Sequence, residues 1–174
     1  MSNTFTTIDF ELATAKYSSV CAVGIVDVVE GKIVNEFYSL VRPPHNSYMW
    51  QTSRVHKIKP KHTADSPTFA ELFPQIRDLI KGKHMVAHDE LLDRSVLKEA
   101  MAYYHLPYQE LQLAEAWDCT SKIYRAIGFE RTKLSICCEL MGVELKHHDA
   151  LSDARATAEL YLKIDEAEQI KKLG

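Results

Sequence analysis

The order of apolar and polar residues divides the chain into a strand-rich first part and a helix-rich remainder. Three β-type runs come first, over residues 5–11, 20–29 and 33–41, and Glu30-Gly31-Lys32 forms the natural turn between the last two. The short gaps between these runs predict an antiparallel meander at the start of the chain.

A polar stretch separates the strands from the helices. Pro43 and Pro44 end the third run, and the residues up to Pro67 are predicted to form a long surface connection containing the basic segment RVHKIKPKH. Its positive charges are Arg54, Lys57, Lys59 and Lys61, with His56 and His62 between them. The segment could steer a phosphate backbone, but a solvated loop would have the same composition, so both interpretations stay open.

The second part of the chain follows a helical pattern. Apolar residues recur at three- and four-residue spacing over residues 69–80, and Gly82 separates this predicted helix from a short strand over 84–87. Further helices are predicted over 91–104, 121–126, 133–141 and 149–167, with a short strand at 117–119. Leading strands followed by helices indicate a mixed α/β sheet, and 174 residues suit a single domain over 1–174.

Composition limits the classes of function. With 21 basic and 24 acidic residues, the chain has no global positive field, so any contact with nucleic acid must be local. Cys21, Cys119, Cys137 and Cys138 show no CxxC spacing and are interpreted as reduced, mostly buried thiols. The chain starts without a signal-peptide pattern and has no apolar run of about 18 residues, so we expect a cytoplasmic protein without a membrane partner.

Two acids in the first predicted strand are candidate metal ligands. Asp9 and Glu11 lie two residues apart, and the period of a strand places both side chains on the same face of the sheet. Ile8 and Phe10 face the other way and can be buried. For an isolated pair of this kind, a polar strand face is the commoner explanation.

Two later segments supply further candidates. Asp93 follows the strand of VAHDELLDRSVL, where α/β folds often place sites, although an acid there also stabilises a helix start by under about 1 kcal/mol. In HHDALSDARATAEL, His148 and Asp153 flank the start of the last helix, so an imidazole and a carboxylate can face one cavity. Asp153 could instead pair with a basic residue on a solvated face, and His147 is the alternative to His148.

Four acids that converge would repel one another unless a cation lies among them. Hard divalent cations prefer oxygen ligands, and two ions roughly 3.5 to 4 Å apart can hold the attacking and leaving oxygens of a phosphodiester displacement. His148, with an unperturbed pKa near about 6.5, could accept a proton from the attacking water at neutral pH.

Taken in order, TIDFE, VAHDELLD and HHDALSD resemble the three exonuclease motifs of the DnaQ-like (DEDDh) family, which includes the proofreading epsilon subunit of bacterial DNA polymerase III. The resemblance spans nearly the whole chain. It implies a ribonuclease-H-like mixed five-stranded sheet, antiparallel in its first three strands and flanked by helices. It also implies two Mg²⁺ or Mn²⁺ ions and hydrolysis from the 3′ end to nucleoside monophosphates.

The resemblance assigns roles to individual residues. The implied metal ligands are Asp9, Glu11, Asp93 and Asp153, and the implied general base is His148. The implied contacts to the terminal nucleotide are Leu12, Ala13, Val55, His56, Lys57 and His88.

Three residues depart from the family pattern, and none removes a catalytic residue. Asp89 stands at the usual Asn and adds negative charge near a site that must admit phosphate. Leu92 stands at the usual Phe and removes a ring that could stack on a base, a contact of about 1 to 3 kcal/mol. Lys57 stands at the usual Gly and could add a phosphate-facing cation.

Three functions stay open on this basis. They are a 3′–5′ exonuclease acting on single-stranded or frayed DNA, an exoribonuclease acting on RNA ends or short oligoribonucleotides, and a non-catalytic nucleic-acid-binding polymerase accessory. Each would have nucleic acid with a free 3′ end as its partner. The sequence ends at Gly174 without the extension of epsilon-type proteins, so we expect a freestanding or repair-related exonuclease.

Overall fold

A mixed five-stranded sheet forms the centre of the protein, in a computed structural model that describes residues 2–173. The strands are β1 (Phe5–Leu12), β2 (Val20–Val29), β3 (Lys32–Leu40), β4 (Met85–Ala87) and β5 (Asp118–Cys119). Their order in the sheet is β3-β2-β1-β4-β5, with β1, β2 and β3 antiparallel and β4 and β5 parallel to β1. The predicted mixed sheet and its antiparallel first three strands are confirmed.

Helices cover both faces of this sheet. They are α1 (Trp50–His56), α2 (Pro60–Thr63), α3 (Phe69–Ile80), α4 (Glu90–Tyr103), α5 (Thr120–Ile127), α6 (Leu134–Met141), α7 (Ala150–Leu162) and α8 (Ile164–Leu173). One apolar core joins the sheet to α3 and α4, and a second joins it to α5, α6, α7 and α8. The sheet is therefore buried on two sides, and its ends are the places where polar side chains can collect.

Alternate residues of β1 face these two cores. Ile8 and Phe10 lie in the core under α3 and α4, whereas Phe5 lies in the core that includes α7. Thr7 is on the same face as Phe5, and its hydroxyl donates to the backbone carbonyl of Ala154 in α7 at 2.8 Å. Continued towards the end of the strand, this alternation directs the acids of β1 to the side where α7 begins.

The start of α7 rests directly on the sheet at Gly24. This residue pairs with Asp9 between β1 and β2, and a Cβ added to it would lie 2.2 Å from the carbonyl oxygen of Ala150. Only a glycine permits that approach. The close packing fixes the first turns of α7, including Asp153, next to the β1 acids.

Gly24→Ala is expected to lower the free energy of unfolding by about 3 kcal/mol, because the added methyl group forces the α7 backbone off the sheet. Thermal and urea unfolding measure this loss. Gly31→Ala is the matched control, since Gly31 has a φ of 76° and open space around it. The control should cost only about 1 kcal/mol of backbone strain. Equal losses in the two variants would contradict the close packing at Gly24.

The predicted surface connection before Pro67 is wrong in part, because it contains regular structure. A 3-10 turn at Pro44–Asn46 is followed by α1 and α2, and His56, Ile58 and Thr63 are buried. Specific hydrogen bonds satisfy the buried polar groups: the hydroxyl of Thr63 donates to Oδ1 of Asn46 at 2.8 Å. Polar composition alone does not reveal packing of this kind.

The predicted last helix over 149–167 is two helices. α7 ends at Leu162, and α8 begins at Ile164 after Lys163, whose N–H donates to the carbonyls of Glu159 and Leu160. The apolar spacing continues across this break, so the sequence pattern reads as a single helix. The bend allows Ile164 to stay buried in the same core as α7.

The interior matches the predicted state of the cysteines. All four are buried and free, and burial raises the pKa of the Cys21 thiol to about 12. A thiol of that pKa stays protonated at neutral pH and is a weak nucleophile. Over residues 2–173, no helix has the length and hydropathy of a membrane span.

Candidate active site

Three carboxylates from β1 and α7 meet at one end of the sheet. Asp9, Glu11 and Asp153 each place a carboxylate oxygen within 4.8 Å of the others. Glu11 and Asp153 are buried and Asp9 is half-buried. Strand period brings the first two to one face, and the contact of α7 with Gly24 brings the third over them. We refer to these three residues as the acid cluster.

Asp93 approaches the acid cluster from the other side of the sheet end. It lies in the first turn of α4, just after β4, and only 5% of it is exposed. It is outside the 4.8 Å group, yet its charge acts on Asp9 and raises the pKa of that carboxyl. Asp89 caps the same helix and accepts a hydrogen bond from the N–H of Leu92 at 3.4 Å. The structure therefore brings all four predicted acids to one end of the sheet.

Burial and mutual repulsion make these acids hard to ionise together. Burial is the main cause that raises the pKa of Glu11 to about 8, with a further contribution from Asp153. Burial, followed by Asp93, also raises the pKa of Asp9 well above its usual value. For Asp93 the causes of the raised pKa are burial and then Asp89. A bound cation would remove this penalty, because opposite charge favours the ionised form.

The environment of Asp153 fits a divalent cation. Its Oδ2 accepts a hydrogen bond from the backbone N–H of His148 at 3.2 Å, whereas its buried Oδ1 has no hydrogen-bond partner among the described residues. A buried carboxylate oxygen without a partner is costly. Mg²⁺ and Mn²⁺ prefer oxygen ligands, so this oxygen, together with Asp9 and Glu11, forms a suitable set for either ion.

His147 and His148 stand at the exposed edge of the acid cluster. Their rings stack with centroids 3.8 Å apart, and Nδ1 of His147 lies 3.3 Å from Oδ2 of Asp153. His148 has a φ of 66°, a left-handed conformation that non-glycine residues seldom adopt outside turns and functional sites. Burial and then His147 lower the pKa of His148. A neutral His148 at pH 7 can therefore accept a proton.

The end of β1 holds α1 in place through backbone carbonyls. The hydroxyl of Thr52 and the N–H of Met49 both donate to the carbonyl of Ala13, at 2.6 and 2.8 Å. Nε2 of His56 lies 3.1 Å from the carbonyl oxygen of Leu12. Ala13 is fully buried, so Leu12 and Ala13 position α1 directly beyond Glu11.

Two histidines predicted to contact substrate have both ring nitrogens engaged. Nδ1 of His56 accepts from the N–H of Ile58 at 3.0 Å, which leaves Nε2 to donate to the β1 end. Nδ1 of His88 lies 2.8 Å from the hydroxyl of Thr120, and its Nε2 lies 2.8 Å from the carbonyl of Thr132. Their rings therefore position neighbouring backbone, and a direct contact to a nucleotide from either one stays a prediction.

Other predicted contact residues lie on the surface. Val55 is an exposed apolar side chain on α1, and Leu92, which departs from the family pattern, is exposed on α4. Lys57 ends α1 with a φ of 64°, a conformation that suits the glycine usual at this position of the family pattern. Its ammonium donates to the carbonyl of Arg54. All three residues are available to an incoming ligand.

One surface feature of α1 was not predicted from the sequence. The side chain of Trp50 is 67% exposed, and the guanidinium of Arg54 lies 4.7 Å from its ring centroid. A tryptophan inside a polar segment, four residues before a basic one, was the available signal. The segment was predicted to be a surface connection, and residues four apart are neighbours only where such a segment is helical.

Comparisons with known proteins agree with this arrangement. Residues 6–161 match the sequence profile of a family described as an exonuclease, RNase_T. A PolC-type DNA polymerase III from Caldanaerobacter subterraneus subsp. tengcongensis is 27% identical over 95% of this chain. The chain spans only 12% of the length of that relative. The structure of Exonuclease X in complex with 5′-overhanging duplex DNA has a TM-score of 0.72 and 26% identity, covering 97% of this chain and 98% of the other.

A further solved structure supports the fold. The nuclease domain of 3′hExo, described as a DEDDh family member bound to rAMP, has a TM-score of 0.78 and 19% identity, covering 94% of this chain and 92% of the other. The resemblance inferred from the three motifs and the ribonuclease-H-like fold are thereby confirmed.

Proposed function

The chain belongs to the RNase_T exonuclease family, and from that premise we propose that it removes nucleotides one at a time from the 3′ end of a DNA strand. One observation carries the proposal: three buried or half-buried carboxylates lie within 4.8 Å of one another, and one of them has an oxygen with no partner among the described residues. Asp93 completes the set from α4. The likeness to Exonuclease X over nearly its whole length favours DNA as the substrate.

The roles of the residues follow from their positions. Asp9, Glu11, Asp93 and Asp153 would hold two divalent ions. When bound, such ions stabilise the negative charge that builds up on the phosphate and on the leaving oxygen during displacement. His148, adjacent to Asp153, accepts the proton of the attacking water, and its lowered pKa keeps the imidazole neutral for this step.

The basic segment on α1 and α2 provides the local positive charge that the proposal needs. Arg54, Lys57, Lys59 and Lys61 are all exposed, and none forms an ion pair with an acid among residues 2–173. The chain as a whole carries a net charge of −3, so this strip is a local exception. Its attachment to the end of β1 places it beside the acid cluster, where it can guide a phosphate backbone.

A nuclease assay tests this proposal. DNA and RNA oligonucleotides of matched sequence, labelled at the 5′ end, are incubated with Mg²⁺, with Mn²⁺ and with a chelator. We expect a ladder of products shortened from the 3′ end, faster shortening of DNA, and no reaction with the chelator. Faster shortening of RNA would overturn the DNA assignment, and intact substrates in both metals would overturn the nuclease proposal.

Trp50→Ala is expected to raise KM for single-stranded DNA about tenfold with little change in kcat, since stacking of a base on an aromatic ring contributes about 1 to 3 kcal/mol. The ring is exposed and lies under Arg54, on a helix bonded to the residues that follow Glu11. Steady-state kinetics measure the change.

Trp50→Phe should restore most of the affinity lost in Trp50→Ala, because it keeps an aromatic face. Leu140→Ala, another exposed apolar side chain but on α6, is the matched control and should leave KM unchanged. An unaltered KM in Trp50→Ala would show that Trp50 does not contact the DNA substrate.

A further inference from the structure

His147 has no part in the hydrolysis proposed above, yet it belongs to a second set of ligand atoms. His147, His148 and Asp153 each offer one atom within 4.8 Å of the others, and this set shares Asp153 with the acid cluster. The two sets differ in chemistry, because one contains only carboxylate oxygens and the other contains two imidazole nitrogens and one carboxylate oxygen.

Ligand chemistry separates the cations that these two sets prefer. Carboxylate oxygens suit Mg²⁺ and Mn²⁺, whereas imidazole suits Zn²⁺ and similar transition metals. Two histidines and one carboxylate form a common three-residue zinc ligand set, with the fourth position left open. The histidine pair with Asp153 is therefore a better site for zinc than for magnesium.

One distance within this set already matches zinc coordination. With metal–ligand bonds of about 2.0 to 2.1 Å, neighbouring ligand atoms of a tetrahedral zinc site lie roughly 3.3 Å apart. Nδ1 of His147 and Oδ2 of Asp153 are already 3.3 Å apart. Both histidine side chains are exposed and precede the rigid start of α7, so their rings can turn towards a shared ion.

Asp153 has an unsatisfied oxygen, and the neighbouring lysine does not pair with it. Only 5% of Asp153 is exposed to solvent. Its Oδ1 nevertheless has no hydrogen-bond partner in the described part of the chain. The neighbouring amine of Lys146 pairs with Oδ2 of Asp149 at 2.9 Å and so is held by another acid.

We propose that His147, His148 and Asp153 form a binding site for zinc, and that zinc bound there inhibits hydrolysis. Zinc on this set would share Asp153 with the acid cluster. It would also occupy the imidazole of His148, which could then no longer accept a proton. The inhibition rests on the proposed nuclease function, whereas the binding of zinc does not.

Isothermal titration of zinc chloride into the full chain, in the presence of millimolar Mg²⁺, tests the binding. We expect His147→Asn to weaken zinc binding at least tenfold, while His147→Cys, which keeps a zinc ligand, retains most of it. His45→Asn, which alters an exposed histidine in a different turn, should bind zinc as the unmodified protein does. Unfolding temperatures of all variants verify that they are folded.

A second measurement follows the inhibition. The zinc concentration that halves hydrolysis, taken relative to the zinc-free rate of each variant, should rise at least tenfold in His147→Asn and stay unchanged in His45→Asn. Unchanged zinc affinity in folded His147→Asn would overturn the site. If zinc binding depends on His147 but the protein has no nuclease activity, the zinc site stands, whereas the inhibition and the proposed function are both overturned.

Discussion

Asp153→Asn is expected to lower the rate of hydrolysis at least about 10³-fold, equivalent to about 4 kcal/mol of transition-state stabilisation, because it removes an anionic ligand shared by the acid cluster. The substitution should not unfold the metal-free protein. An asparagine oxygen can still accept the N–H of His148, and one of the mutually repelling buried acids is gone. Initial rates on 5′-labelled DNA and thermal unfolding measure the two effects.

The same variant also tests the role of metal in stability. In the unmodified protein, added Mn²⁺ should raise the unfolding temperature, because a ligand that binds only the folded state stabilises it. That increase should be absent in Asp153→Asn and intact in Asp65→Asn, which alters an exposed acid in a loop. Activity of Asp153→Asn within tenfold of the unmodified protein would show that Asp153 is no ligand in the reaction.

His148→Ala is expected to lower kcat by about 10² to 10⁴, the range for loss of a general base, while Mn²⁺ binding is retained. This histidine is not among the acids that would hold the ions, so calorimetric titration with Mn²⁺ separates its role from theirs. A loss of Mn²⁺ binding in His148→Ala would assign it to the metal site instead.

His147→Ala tests whether the neighbouring histidine, rather than His148, is the general base. Its loss in kcat should be at least tenfold smaller than that of His148→Ala, since the resemblance to the family motif assigns the base to His148. The structure makes the comparison informative, because both rings are exposed and stacked and His147 is the one near Oδ2 of Asp153. Equal losses of kcat, or a larger loss in His147→Ala, would contradict the assignment of the general base to His148.

Much of the site could be predicted because it follows from strict periodicities. The two-residue period of β1 sets Asp9 and Glu11 on one face and Ile8 and Phe10 on the other, whatever packs above them. Asp93 was predicted from a general property of α/β folds, in which residues that follow the carboxyl ends of strands often line a site. Both properties depend only on residues close together in the sequence, so they can be recognised without knowledge of the tertiary contacts.

Other features depend on contacts between distant parts of the chain. The approach of Ala150 to Gly24 decides where Asp153 lies, and no local pattern reports it. His56 is buried, with its Nε2 3.1 Å from the carbonyl oxygen of Leu12 in a distant part of the chain. The polar composition around His56 had predicted a surface connection instead. The exposed Trp50 became visible only once α1 was shown to be a helix.

The proposed function depends on the convergence of four acids that burial and repulsion make costly to ionise without a cation. Soaking crystals of the protein with Mn²⁺ and a nucleoside monophosphate, and recording anomalous scattering, tests it most directly. We expect two peaks roughly 3.5 to 4 Å apart, bounded by Asp9, Glu11, Asp93 and Asp153. Density for the nucleotide at this end of the sheet with no anomalous peak among those carboxylates would contradict it.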